Sequence, residues 1–182
     1  GGGVAGAIYA KGGQKIQDEC DMKVFENNGE FKNGSVIPTN SGKMKYKKIF
    51  HAVGPIYRNG NFGEEDDLRE CFKNCFEKAN ENGYSISIPP ISSGIFGYPK
   101  EECAEIFFSE LEKFIIKEKK IKCKEIRLVI IDYKTFEVFK NVYLKHKNIL
   151  EKLNKENKSD NHEEDNSNID KKKDFYIKGI NN

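Results

Sequence analysis

No apolar run in this chain approaches the ~20 residues that a membrane-spanning helix needs, so no helical span is expected. Nor is there a strong excess of either charge: 31 basic and 29 acidic residues leave a net +2. A dedicated nucleic-acid binder gathers a basic excess on one face. The clusters Lys43 to Lys48 and Lys117 to Lys124 read instead as solvated surface, which counts against nucleic acid as the partner. Five cysteines (Cys20, Cys71, Cys75, Cys103 and Cys123) contain no Cys-x-x-Cys pair, and no histidine near Cys71 and Cys75 completes a zinc set. Scattered thiols in odd number are expected to be free and buried in a reducing compartment, cytoplasmic or nuclear, with no metal and no cofactor. No signal peptide and no internal repeat is visible, and Gly1 opens in mid-motif rather than at a Met.

What remains is enough for one domain. The 182 residues are 37% hydrophobic and 33% charged, and the mean hydropathy of −0.72 is wetter than a compact domain needs. The wet part starts near Glu151, so residues 1–148 are expected to form the domain and 149–182 a polar, disordered tail. Within the tail, Phe175, Tyr176 and Ile177 read as a short docking segment or the start of another domain.

Along the domain, Val4, Ala7 and Ile8 begin a helical pattern that Gly12 and Gly13 interrupt, and Ile16, Cys20, Val24 and Phe25 continue at helical spacing up to Asn28-Gly29. Val36-Ile37, closed by Pro38, and Lys48 to Val53 read as strands. Leu68, Cys71, Phe72, Cys75, Phe76 and Ala79 form one stripe of an amphipathic helix that Asn82-Gly83 ends. Tyr84 to Ile88 alternates like a strand, and a helix opens near Pro99. Ile126 to Ile131 looks like a strand buried on both faces, followed by a helix carrying Phe136, Phe139, Val142 and Tyr143. Strands alternating with helices imply an α/β fold.

Two glycine-bearing segments could carry chemistry. Ser92-Ser93-Gly94-Ile95-Phe96-Gly97 follows the carboxyl end of a strand and precedes a helix, the edge where open α/β sheets bind ligands. Glycines let backbone N–H groups wrap an anion, and the helix dipole favours phosphate there. A plain tight turn is the competing reading, but Phe96 between two glycines suits covering a sugar or ring better. Gly1 to Gly6 leads into a helix and would supply a second wall for a diphosphate. It also fits Gly-x-Gly-x-x-Gly, yet Asp21 lies in a helical pattern where that fingerprint needs the end of a second strand. His51 reads as a hydrogen-bonded structural residue, since no nucleophile stands beside it. Asp132 is placed either to touch a ligand or to cap the next helix, with capping favoured.

Four segments in this order resemble one family: Gly-Gly-Gly-Val-Ala-Gly-Ala-Ile (1–8), His-Ala-Val-Gly-Pro (51–55), Pro-Pro-Ile-Ser-Ser-Gly-Ile-Phe-Gly (89–97) and the apolar strand ending in Asp132. Together they look like macro domains, similar to those of the poly-ADP-ribose polymerase superfamily and of coronaviruses. The resemblance implies a three-layer α/β/α sandwich with a mixed central sheet, its first strands lying upstream of Gly1, and a cleft for ADP-ribose. It implies that Gly2, Gly3, Val4 and Ala5 border the distal ribose and diphosphate. Ser92, Ser93, Gly94, Ile95, Phe96 and Gly97 would form the diphosphate loop, with Phe96 beside the distal ribose, and Ile131 and Asp132 would flank the adenine. The family's adenine-reading acid and its Asn-Ala-Ala-Asn segment would precede Gly1, and Ala5 stands where one hydrolase branch carries a catalytic Asp. The partners implied are ADP-ribose or mono-ADP-ribosylated proteins. The function expected is binding, with hydrolysis of ADP-ribose from Asp or Glu side chains, or a scaffold with a lapsed pocket, as alternatives. No catalytic residue is assigned.

Overall fold

A computed structural model of the chain describes residues 2–159 and 176–179. Its elements, in chain order, are α1 (Gly3–Gly12), α2 (Gln14–Glu26), β1 (Val36–Thr39), β2 (Ile49–Ala52), α3 (Glu64–Asn82), β3 (Ser85–Ile88), α4 (Lys100–Lys117), β4 (Glu125–Ile130), α5 (Tyr133–Ser159) and β5 (Tyr176–Gly179). The strands form two ladders: β1 and β2 pair antiparallel, and β3, β4 and β5 pair parallel in that order.

At the β1–β2 ladder the layering follows from the period of two along a strand. Val36 faces Ala52 and Pro38 faces Phe50 in register, and Val36, Phe50 and Ala52 pack on the main core. The alternate pairs, Ile37 with His51 and Thr39 with Ile49, point the other way, where Cys20 of α2 meets His51. Helices thus cover both faces of this ladder. The strand expected to close at Pro38 runs on to Thr39. A proline is tolerated on an edge strand because its missing N–H can sit on the unpaired side.

The second ladder is covered differently. Ile86, Ile88, Ile126, Leu128 and Ile130 are buried, whereas Ser85 and Ser87 are exposed and Glu125, Arg127 and Val129 only half-buried. The expectation of a strand buried on both faces at 126–131 is therefore corrected. Arg127 bonds Glu125 through its Nε at 2.8 Å, so two charged side chains hold the open face, and the strand itself is Glu125–Ile130.

The core lies under the buried face. The α3 stripe (Leu68, Cys71, Phe72, Cys75, Phe76, Ala79) is almost wholly removed from solvent, each large side chain being worth about 1.5–3 kcal/mol of transfer free energy. Phe107 of α4 joins it through edge-on contacts, 5.2 Å to Phe72 and 5.6 Å to Phe76 between ring centroids. Helix α3 ends at Gly83, whose φ of 61° lets its N–H reach back to the Ala79 and Asn80 carbonyls.

Helix α5 continues well past the domain limit expected at residue 148. Leu150 is buried and Leu153 packs against the core, which holds the polar stretch helical to Ser159. Tyr176 and Ile177, expected to be a docking segment or the start of another domain, lie in β5 and pair in register with Arg127 and Leu128. The remainder of the expected disordered tail, and Phe175, lie outside the described residues. Among those searched, no helix is long and apolar enough to cross a membrane.

Candidate functional site

The carboxyl ends of β2, β3 and β4 and the amino ends of α1, α4 and α5 carry the expected site. After β3, Pro89-Pro90 delivers the chain to a tight loop. The Ser93 hydroxyl donates to the Pro90 carbonyl at 3.0 Å, and the Tyr98 N–H reaches the Ser92 carbonyl at 2.9 Å. The Gly97 N–H closes on the Gly94 carbonyl at 3.0 Å, and Gly97 has a φ of 72°, a left-handed value that a side chain would strain. Ser92 adopts a left-handed φ of 63°, and its hydroxyl is buried with no hydrogen-bond partner. Held at both ends, the loop presents Gly94, Ile95, Phe96 and Gly97 to solvent.

Opposite it stands the first turn of α1. Gly2, Gly3, Val4 and Ala5 are exposed, with no capping side chain and no acidic residue in the turn. Its leading N–H groups have no acceptor within the helix and carry the positive end of the dipole. A Cβ on Gly2 would lie 3.2 Å from Cδ1 of Ile95, so the two walls meet across these residues. The arrangement offers unpaired N–H donors and exposed apolar side chains, which suits an anion carrying an apolar or sugar face.

Ile131 and Asp132 lie between the end of β4 and the start of α5. Ile131 is 78% exposed at the end of β4. Asp132 Oδ1 accepts the Thr135 N–H at 2.9 Å, the geometry of a helix cap, and lies 3.8 Å from Lys100 Nζ at the start of α4. The Thr135 N–H first, with the charge of Lys100 adding to it, holds its carboxyl below the usual range. Capping is what the geometry gives this residue, beside an exposed isoleucine that offers surface and no ring.

Two contacts were not legible as site features. A Cβ at Gly54 would lie 2.4 Å from Ser92 Oγ and 2.7 Å from Ile91 Cγ2, so only glycine lets the two chain segments approach. The Tyr57 N–H donates to the Phe96 carbonyl at 2.9 Å, tying the segment after β2 to the loop. The Gly54-Pro55 pair is the sole sequence signal for either.

His51 Nε2 lies 2.9 Å from Thr39 Oγ1 and 3.6 Å from Cys20 Sγ, and burial lowers its pKa. Burial raises the pKa of Cys20 first, then the charges of Asp21 and Glu19, so the pair is not an activated thiolate. Cys20 is only half-buried, which corrects the expectation that all five thiols are buried. Cys71 and Cys75 are pushed by burial up to about 11 and about 12. No group of three or more metal-ligating side chains exists among the described residues.

The Macro domain family model matches residues 1–107. The chain belongs to the macro domain family. It is 40% identical over 144 residues to an uncharacterised protein of Thermotoga maritima, covering 79% of this chain and 24% of that one. It is 38% identical over 116 residues to the O-acetyl-ADP-ribose deacetylase of Salmonella newport, covering 63% of this chain and 64% of that one. The chain thus spans less than two thirds of both relatives. Among solved structures, an Oceanobacillus iheyensis macrodomain variant with ADPR superposes with a TM-score of 0.73 at 29% identity, over 83% of this chain and 80% of that chain. This macro domain therefore carries the family's α/β fold, with its sheet divided into two ladders among the described residues.

Proposed function

We propose that this macro domain binds ADP-ribose, free or attached to protein, between the first turn of α1 and the loop Ser92 to Gly97. The observation that carries the reading is the meeting of Gly2 and Ile95 across the two walls. It sets the N–H groups of a helix start against a glycine loop, the setting a diphosphate requires. Phe96 then lies beside the distal ribose, and Ile131 with Asp132 beside the adenine. The partners are ADP-ribose and mono-ADP-ribosylated proteins, and the free thiols suit a cytoplasmic or nuclear setting. Calorimetric titration of ADP-ribose, with AMP as control, tests this. Saturable binding that prefers ADP-ribose supports it; no heat with folded protein abandons it in favour of a domain that only mediates contacts.

A second reading rests on the name of the Salmonella relative, an O-acetyl-ADP-ribose deacetylase. An ester on the distal ribose, to an acetyl group or to an Asp or Glu side chain, would be cleaved by water, leaving a carboxylate and a sugar hydroxyl. The loop would act by positioning and by N–H electrostatics, without a covalent nucleophile. Release of ADP-ribose from a glutamate-modified peptide separates hydrolysis from binding.

A further inference from the structure

Beyond the cleft, the segment from Ile56 to Phe62 is built for contact. Ile56 and Phe62 are 61% and 64% exposed, and the Arg58 guanidinium lies over the Phe62 ring, 5.5 Å from its centroid. Exposed loops usually spend such residues sparingly, and an aromatic paired with arginine is the composition that dominates protein interfaces.

This loop is fixed rather than loose. The buried Glu64 carboxylate accepts the Arg58 N–H at 3.0 Å and the Phe62 N–H at 2.7 Å. Tyr57 fastens the loop to Phe96 through its N–H, and its ring meets Tyr98 edge-on at 4.9 Å. A surface held in place loses little conformational freedom on binding, so apolar contact there converts to affinity efficiently.

Its charge is also unspent. Arg69 binds Glu65 and Glu110, and Arg127 binds Glu125, but among the described residues the Arg58 guanidinium forms no ion pair with a carboxylate. Glu64 is occupied by the loop's own N–H groups and Glu65 by Arg69; Asp66 is the exposed carboxylate left on that turn.

We infer that Ile56, Arg58 and Phe62 form a docking surface for an acidic polypeptide bearing ADP-ribose, not for the nucleotide alone. The inference rests on the proposed cleft. Phe96 marks the distal-ribose end, which is the end from which an attached polypeptide leaves, and Tyr57 joins the docking loop to Phe96. The polypeptide's carboxylates meet Arg58, and its apolar side chains meet Ile56 and Phe62.

The test uses calorimetry with two probes: free ADP-ribose, and an acidic peptide carrying ADP-ribose through a non-hydrolysable linkage. The expected result is that Arg58→Glu weakens the peptide about fivefold, the size of an exposed charge contact, while free ADP-ribose stays within about twofold. Phe62→Ser, which leaves the charge in place, is expected to discriminate the probes in the same sense. Equal effects on both probes, or none on either, overturn the docking surface and leave the cleft standing. If the parent chain binds neither probe, both readings fall.

Discussion

The Tyr57 amide donates to the Phe96 carbonyl across 2.9 Å, joining the segment that follows β2 to the loop that follows β3. Just before it, Gly54 and Ser92 come closer than a side chain would permit. These contacts make one rigid rim of two sequence-distant loops, so the site's shape depends on residues that need not touch a ligand.

Gly54→Ala should consequently destabilise the fold by roughly 1–3 kcal/mol, the usual cost of overpacking a tight contact. Denaturant titration measures it, and a midpoint equal to that of the parent would contradict the close approach.

Gly94 gives the opposite expectation. No atom lies within 4 Å of a Cβ built there, and its φ is not in the left-handed region. Gly94→Leu should therefore change stability by no more than about 0.5 kcal/mol, while reducing ADP-ribose affinity tenfold or more. A stable variant with parental affinity would remove the loop from the binding site.

The acid limit of stability should involve Glu64. Burial alone would raise its pKa, but the N–H groups of Glu64, Phe62, Arg58 and Asn59 outweigh it and hold the value at about 2. A depressed carboxyl stabilises the fold fully above its ordinary 4.5, and this contribution is lost as pH falls from there through about 2. Glu64→Gln should be less stable at neutral pH, with a shallower loss of stability in that window, read by urea midpoints between pH 2 and 6.

His146 sets a limit at the other end. Its ring stacks on Phe108, with Nδ1 2.7 Å from Glu112 and Nε2 2.9 Å from Glu105, and Lys145 also binds Glu105. Only the imidazolium can donate from both nitrogens. Burial pulls its pKa down, yet the two carboxylates more than offset that and raise it above 6.5. A raised pKa gives stability that is complete below 6.5 and lost as pH climbs through the folded value. The α4–α5 contact should thus weaken in mild alkali, and His146→Gln should flatten the melting temperature between pH 6 and 9.

Much of this could be read from sequence where one physical signal dominated. The α3 stripe at helical spacing, stopped by Asn82-Gly83, fixes a buried helix without reference to its neighbours. The tight turn at 92–97 was legible because Gly94 and Gly97 bracket it, and Phe96 stands exposed between them; its role as a binding loop is a proposal. Ile126 to Ile131 misled because Val129 and Ile131 hide the alternation that Glu125 and Arg127 betray. Helix α5 beyond residue 148 was missed because two leucines, Leu150 and Leu153, are too sparse a stripe until the core they reach is known. The Tyr57–Phe96 link is made by backbone atoms and leaves no mark on side-chain identity.

Among the described residues, strands β2 and β3 each bond one neighbour, on different ladders. Successive amides of a strand point to opposite edges, so half of those in each are tied into a ladder and half are not. Deuterium uptake should then alternate residue by residue along Ile49–Ala52 and Ser85–Ile88, slow for the paired amides and fast for their immediate neighbours.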